Sequence, residues 1–527
     1  MRETRRKKPV VQQNAIDRVV SYFNPVRGQE RLRARASMAL VGGYLGGKKS
    51  RKPLSSWYTR SADADTDILP DLETLRERSR DAVRNSPLAT AAINTKVTNI
   101  IGTGLKLRSV IDRDYLKLSD EKAEELQNNI EREWRLFTKY CDLERQSSFV
   151  ELQSLIFRAV LESGDLLVST PRVKRPETPY NTKLQLIEAD RVCNKDGAPD
   201  KPGLSGGVER ARSGAPIRYH ILKSHPGNIH SGAREWSTLD AFGSDGMRRV
   251  LHPHNKLRPG QSRGVPDLAP VIEAIKQLSD YTEQEIHAAV VSGLFTVFVE
   301  TEGGDSLGGT VEEGADGEQE IKLGSGSIVG LAQGEKITSV NPGRPNTAFD
   351  GFIVSVTRVV GAAIELPHEL LLKHFTSSYS AARAALLEAW KFFDSRRKWF
   401  AEQLCQPIFE IFMVEAVGLG RIKAPGFLKG DPAVRMAYCK AEWIGPARGH
   451  IQPLQEAKAE VELINNNVKT LSRVIAETTG EDFDAVHKQR AREVRLQRED
   501  QIIPEKLQSL ELDELPKKSE TNDDETD

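Results

Sequence analysis

Leu268, Val271, Ile272, Ile275, Leu278, Ile286, Ala289 and Val290 recur at helical spacing up to Gly293, with polar residues filling the other faces. The spacing predicts a helix of about 25 residues, roughly 38 Å long at 1.5 Å per residue. One stripe is apolar and the rest polar, and from Gly264 onward the texture is one of long helices.

Two more long helices are predicted after it. One runs from Phe349 to Glu365 and stops at Pro367; the other runs from about Ser380 to Val417, with a kink expected at Pro407, which cannot donate its backbone hydrogen. Ala381, Ala382, Ala384 and Ala385 make the first turns of the third helix slim enough for close packing. Between the first two lie strand-like runs, LFTVFVE and EIKLGSGSIVGLAQGEKITSV, around a Gly-rich acidic insert. From Pro453 onward, three short helices are separated at Asn465 to Asn467 and at Gly480.

The part before Gly264 is mixed. LPDLETLRERSRDAVRNSPLATAAINTKVTNII predicts two helices broken at Asn85 to Pro87, since proline is tolerated at a helix start. Ser119 and Ser148 read as N-caps of two further helices. DLLVSTPRV, KLQLIEAD, IRYHILK and MRRVLHP follow as short strands. The expected class is α+β, mainly helical. At 527 residues with 38% hydrophobic content, the chain can supply cores for three or four structural units.

Charge is distributed unevenly. The chain has 75 basic and 75 acidic residues, yet residues 1–60 carry 15 basic against 3 acidic and residues 499–527 carry 3 against 11. The ends are thus +12 and −8, leaving −4 for the middle, and both read as mobile arms. MRETRRKKPVVQQ is followed by no apolar run, and Ile353 to Leu372, the richest apolar window, contains Arg358, Glu365 and Pro367. Neither a targeting signal nor a membrane span is expected.

Three kinds of chemistry can be weighed from the residues. GGYLGGKK at Gly42 to Lys49 nearly fits a phosphate-binding loop, but Lys49 stands where a Ser or Thr would ligate magnesium, so a basic arm is the better reading. His220, His225, His230, His252 and His254 gather near Asp240 and Asp245 without any metal-ligand signature, and strand ends explain them equally well. The four cysteines Cys141, Cys193, Cys405 and Cys439 form no CxxC pair, and GSGS at Gly324 is no nucleophile elbow. The basic run SRRKWF at Ser395 to Phe400 could touch phosphate or form a subunit contact. No catalytic residue, metal ligand or cofactor is assigned.

Four blocks carry a resemblance. They are LRERSRDAVRNSPLATAAINTKVTNIIGTGLKL at Leu75, RPGQSRGVPDLAPVIEAIKQLSDYTEQEIHAAVVSG at Arg258, SYSAARAALLEAWKFFDSRRKWF at Ser378 and AEWIGPARGHIQPLQEAKAEVELI at Ala441. Together, and in this order, they resemble the portal proteins of tailed bacteriophages, in particular the lambda-type branch. The resemblance implies a non-enzymatic ring, usually of twelve subunits, at one vertex of the capsid in the virion, assembled in the bacterial host's cytoplasm. Double-stranded DNA would pass through it without sequence preference during packaging and ejection. Terminase large subunit, major capsid or scaffold protein, and head-completion or tail adaptor proteins are the implied partners.

Carried onto this chain, the resemblance implies a basic flexible arm at residues 1–65, a wing at 66–263, and stem helices at 264–293 and 347–365. It places a clip at 294–346, a tunnel loop at 366–379, a long backing helix with wing return at 380–444, a crown at 445–500 and an acidic tail at 501–527. His368, Lys373, His374 and Tyr379 would face DNA in the channel, and Glu312, Glu313 and Asp316 would belong to the partner-docking clip. The rival readings are another head or adaptor protein, or a metal-dependent nuclease using His252 and His254. A sliding channel favours modest, mixed lumen charge, because every strong cationic contact adds affinity for phosphate and the ring multiplies it.

Overall fold

The structure, a computed structural model, describes residues 15–40, 52–54, 56–230, 234–293, 297–300, 312–313, 319–320, 336–339, 348–375, 378–448 and 453–499. The chain divides into two units, Met1–Asp63 and Ala64–Asp527.

Within the stretch expected to be a basic flexible arm, the first unit contains two helices, Ala15–Phe23 and Pro25–Leu40. Beneath the arm's basic charge lie Ile16, Val19, Val20 and Phe23, spaced to form one face of a helix. A Cβ on Gly28 would lie 2.3 Å from the Ser21 hydroxyl, so the hairpin closes on the polar side of the first helix. On its apolar side Phe23 is 80% exposed. The near phosphate-loop motif at Gly42 to Lys49 lies outside the described residues.

In the second unit the first helix spans Ala64–Asn85, starting before the expected Leu69 and accommodating Pro70 in its second turn, and Pro87–Ile100 follows directly. Ser119 caps Asp120–Lys139, and Ser148 forms a reciprocal capping box with Glu151 at the start of Phe149–Ser163. These helices pack around Trp134, whose ring meets Phe149, Phe409, Phe412 and Trp443 at 5.2 to 5.9 Å, mostly edge to face.

The strands are short and antiparallel. Leu166–Ser169 lies between Gln185–Glu188 and Val250–Leu251, and Pro216–Leu222 lies between Val208–Arg210 and Trp236–Asp240. Leu167, Ile187, Val192, Val208, Tyr219 and Val250 close a small second core there. A pairing of distant segments, Lys106–Ser109 with Ala441–Ile444, ties the late chain back to this region. Nothing in either short segment's own pattern announces that pairing.

The long helix predicted from Leu268 begins at Ile272, after a 3₁₀ turn at Ala269–Val271 that accommodates Pro270, and continues to Gly293. The next runs Phe349–Ala363. Where a kink was expected at Pro407, the structure has a π-helical turn at Ala401–Cys405 joining Tyr379–Phe400 to Gln406–Gly418. The Gln406 amide donates to the Ala401 carbonyl, five residues back, and the wider turn absorbs a proline that cannot donate. The three C-terminal helices are Pro453–Asn465, Leu471–Thr479 and Phe483–Glu499. Around the acidic insert Val297–Glu300 pairs with Lys336–Ser339, and within it Glu312–Glu313 pairs with Gln319–Glu320.

Candidate channel loop and its anchorage

The loop after helix Phe349–Ala363 is built by one tight reversal. The Leu366 amide donates to the Gly361 carbonyl at 2.8 Å, and a Cβ on Gly361 would lie 2.4 Å from the Leu366 oxygen. Glu365 sits at φ 59° to complete the turn. Ile364, Leu366 and Leu371 plug the reversal into the main core. Pro367 then starts a single short helix, His368–Leu372, which Lys373 ends at φ 52°.

This geometry divides the loop into a buried base and an exposed tip. Lys373, His374 and Phe375 are exposed, whereas His368 is half-buried with Nδ1 3.0 Å from a Glu369 carboxylate oxygen. Tyr379 is the first residue of the following helix, and its side chain lies outside the described residues. The structure thus brings Lys373 and His374 together on one surface and sets His368 aside from them. Glu312 and Glu313 form a two-residue strand, while Asp316 lies outside the described residues.

Under the loop, Lys96 of helix Pro87–Ile100 is almost fully buried. Its Nζ donates to Asp267 at 2.5 Å and stands 5.0 Å from the centre of the Phe392 ring. Burial lowers its pKa against the opposing pull of Asp267. Arg397, inside the basic run, is turned inward. It donates to the carbonyls of Asn99 and Ile100, satisfying groups left open at the end of that helix, and to that of Pro446.

The histidine region resolves into a structural knot. Asp165, with no side-chain exposure, accepts hydrogen bonds from Arg76 at 2.9 Å, Arg263 at 2.8 and 3.0 Å and the Gly264 amide at 2.8 Å, and His252 Nε2 lies 3.0 Å away. Burial would raise the Asp165 pKa, but the Arg263 and Arg76 charges and the His252 hydrogen bond hold the carboxyl well below its usual range. Arg263 also donates to the carbonyls of Ala189, Val192 and Gly206, so nearly all of its donors are used. Burial pushes the pKa of His254, whose ring is tilted against that of His252 at 4.3 Å, down to about 3.

The other histidines stand apart. His220 lies beside Glu209, His225 beside Glu188 and Asp190, and His230 is exposed; Asp240 and Asp245 pair with Arg218 and Arg249. Among the described residues, no group of three or more His, Cys, Asp or Glu converges to hold a metal ion. No helix searched among them is long and apolar enough to cross a membrane.

Sequence reasoning missed the Asp165 knot. Its available signal was a charged residue opening the apolar run of Leu166 and Leu167, together with the arginine and glycine of RPGQSRG, whose roles now have a physical account.

The sequence pattern described as "Phage portal protein, lambda family" matches residues 50–397. The chain belongs to that family. Relatives along its length include the portal protein of Escherichia phage N15, 24% identical over 88% of this chain and 91% of the relative. Portal protein B of Escherichia phage lambda is 23% identical over 87% and 90%. The solved neck of a native gene transfer agent particle, computed with C12 symmetry, overlays at a TM-score of 0.41 with 12% identity over 77% of this chain and 93% of that one. The chain therefore serves as a phage portal protein in the virion, at the capsid vertex.

Proposed function

We propose that this portal subunit forms a closed ring, of twelve copies, that conducts double-stranded DNA during packaging and ejection and catalyses no reaction itself. The observation that carries this reading is the family match across 348 residues, 50 to 397 inclusive, with relatives aligned over nearly their whole length. The lone subunit supports it physically. Ile286 and Val290 on helix Ile272–Gly293, and Phe352 and Val359 on Phe349–Ala363, are exposed apolar residues, Val359 by 70%. Closed assembly gives such faces a neighbour in every copy.

In this reading the helices Ile272–Gly293 and Phe349–Ala363 are the stem, the insert between them is the clip, and the tip at Lys373 and His374 faces DNA. The clip meets terminase during packaging and adaptor or tail proteins afterwards, while the basic N-terminal region meets scaffold or capsid protein. Negative-stain imaging of the purified full chain tests the ring. End-on views should show closed rings with an axial hole and twelvefold rotational power. A persistent monomer under assembly conditions and in particles would sink the reading.

A further inference from the structure

The three C-terminal helices are attached to the rest of their unit in an unusual way: none of their residues is fully buried. Charge holds them instead. Lys469 joins Glu460 at 2.8 Å to Glu477 at 2.7 Å, bracing the helices against each other.

Their fastening to the wing centres on Arg108, in strand Lys106–Ser109. Its Nε lies 2.8 Å from Asp482, one Nη lies 3.7 Å from Asp484, and the other donates to the Ser472 hydroxyl at 2.6 Å. Beside it, Lys106 donates to the Gly480 carbonyl at 3.2 Å, and Lys488 sits 3.1 Å from Glu124 on helix Asp120–Lys139. Arg383 and Glu456 form a further ion pair between the backing helix and the first C-terminal helix.

Below this fastening lies a crevice of about 950 Å³, where Leu105, Leu107, Trp134, Phe149, Val150 and Val486 form an apolar part of a lining that also carries many charged side chains. Apolar lining beneath a fastening made of ion pairs gives the two opposite sensitivities. Salt weakens partly exposed charge pairs and leaves apolar contacts intact.

We propose that Leu471–Glu499 is a charge-held strap, poised on Arg108, whose release opens the partly apolar crevice beneath it. The strap belongs to the single subunit and does not depend on ring closure. Each link it uses is partly open to solvent: the Arg108 and Asp482 side chains are each 20% exposed. Counterions therefore reach the links without any need to unfold the core.

Amide exchange on the full chain tests it. As salt rises from about 0.1 M to about 1 M, the Debye length falls from about 10 Å to about 3 Å. Exchange in residues 471–499 should accelerate while that in helix Phe149–Ser163 does not, and binding of an apolar fluorescent dye should rise in parallel. Arg108→Gln should speed exchange of the strap about tenfold or more at low salt, as expected for losing hydrogen bonds to charged groups, and remove most of the salt response. Arg108→Lys should fall between. The double change Asp482→Asn, Asp484→Asn should reproduce Arg108→Gln without touching the wing strand. Salt-independent exchange in the native chain, or no acceleration in both the Arg108→Gln and the double variant, overturns the proposal.

Discussion

Gly164 and Gly264 cross so closely that a Cβ on Gly264 would lie 2.0 Å from the Gly164 carbonyl oxygen. Gly164 ends helix Phe149–Ser163 at φ 87°, and Gly264 follows Arg263 into the Asp165 knot. The contact lets Asp165 reach the Gly264 amide and both arginines at once. Gly264→Ala should therefore cost about 3 kcal/mol or more, since backbone must move on both sides. Denaturant unfolding of the full chain measures it; a cost below about 1 kcal/mol would show that the crossing relaxes easily.

Removing the carboxylate from the same knot should be equally severe. Asp165→Asn leaves Arg76 and Arg263 buried beside a neutral amide, a change of the kind that costs about 3 to 5 kcal/mol. Chemical denaturation combined with circular dichroism should show the loss. Replacing Asp240, exposed beside Arg218, is the control and should change stability by less than about 1 kcal/mol.

His254 predicts a pH dependence. Its pKa is about 3 in the folded chain and about 6.5 when unfolded, so the folded state disfavours the proton. Stability from this residue is fully present above the unfolded value and declines as pH falls from about 6.5 towards 3. Between pH 6.5 and 5, above most carboxylate titrations, the unfolding midpoint should fall with acidification, and His254→Leu should flatten that slope. An unchanged slope would count against the buried neutral histidine.

The loop gives a functional prediction. Gly361→Ala should push the Leu366 backbone away and displace Lys373 and His374, while leaving Ile364 and the exposed apolar faces of the two long helices in place. Rings should form at normal yield, and DNA packaging into heads should fall severalfold. Lys373→Ala, by contrast, should leave packaging close to normal, because a passage that lets DNA slide does not depend on strong cationic contacts with phosphate.

Deleting residues 303–317 should spare ring formation and impair terminase docking. Pull-down of terminase by assembled rings, alongside packaging, checks the clip assignment; normal packaging would relocate it.

Much of this subunit is legible in its sequence wherever one local signal decides an element. Ser119 and Ser148 mark helix starts, Pro87 splits two helices, and the stripe from Leu268 to Val290 gives the long helix. Features made by distant residues are not legible that way. Lys106–Ser109 pairs with a segment more than 300 residues later, and Asp165 finds Arg76 and Arg263 only after folding. The N-terminal helices were hidden differently: basic residues dominate the composition of the arm, while Ile16, Val19, Val20 and Phe23 of the first helix sit at i, i+3, i+4 and i+7. At the candidate loop, the sequence locates the segment, but which side chains reach the surface depends on the reversal at Gly361.

The π turn at Ala401–Cys405 makes chain length itself a structural requirement. Adding one residue to a turn rotates everything beyond it by about 100° relative to a regular α-helix. Phe393 and Phe400 before the turn, and Ile408, Phe409 and Phe412 after it, all reach the core only because of that offset. Losing any single residue from the turn would swing the Phe409 and Phe412 face away from Trp134, whatever residue was removed. The segment thus works as a phase adjuster, specifying how many residues must stand there as firmly as which ones.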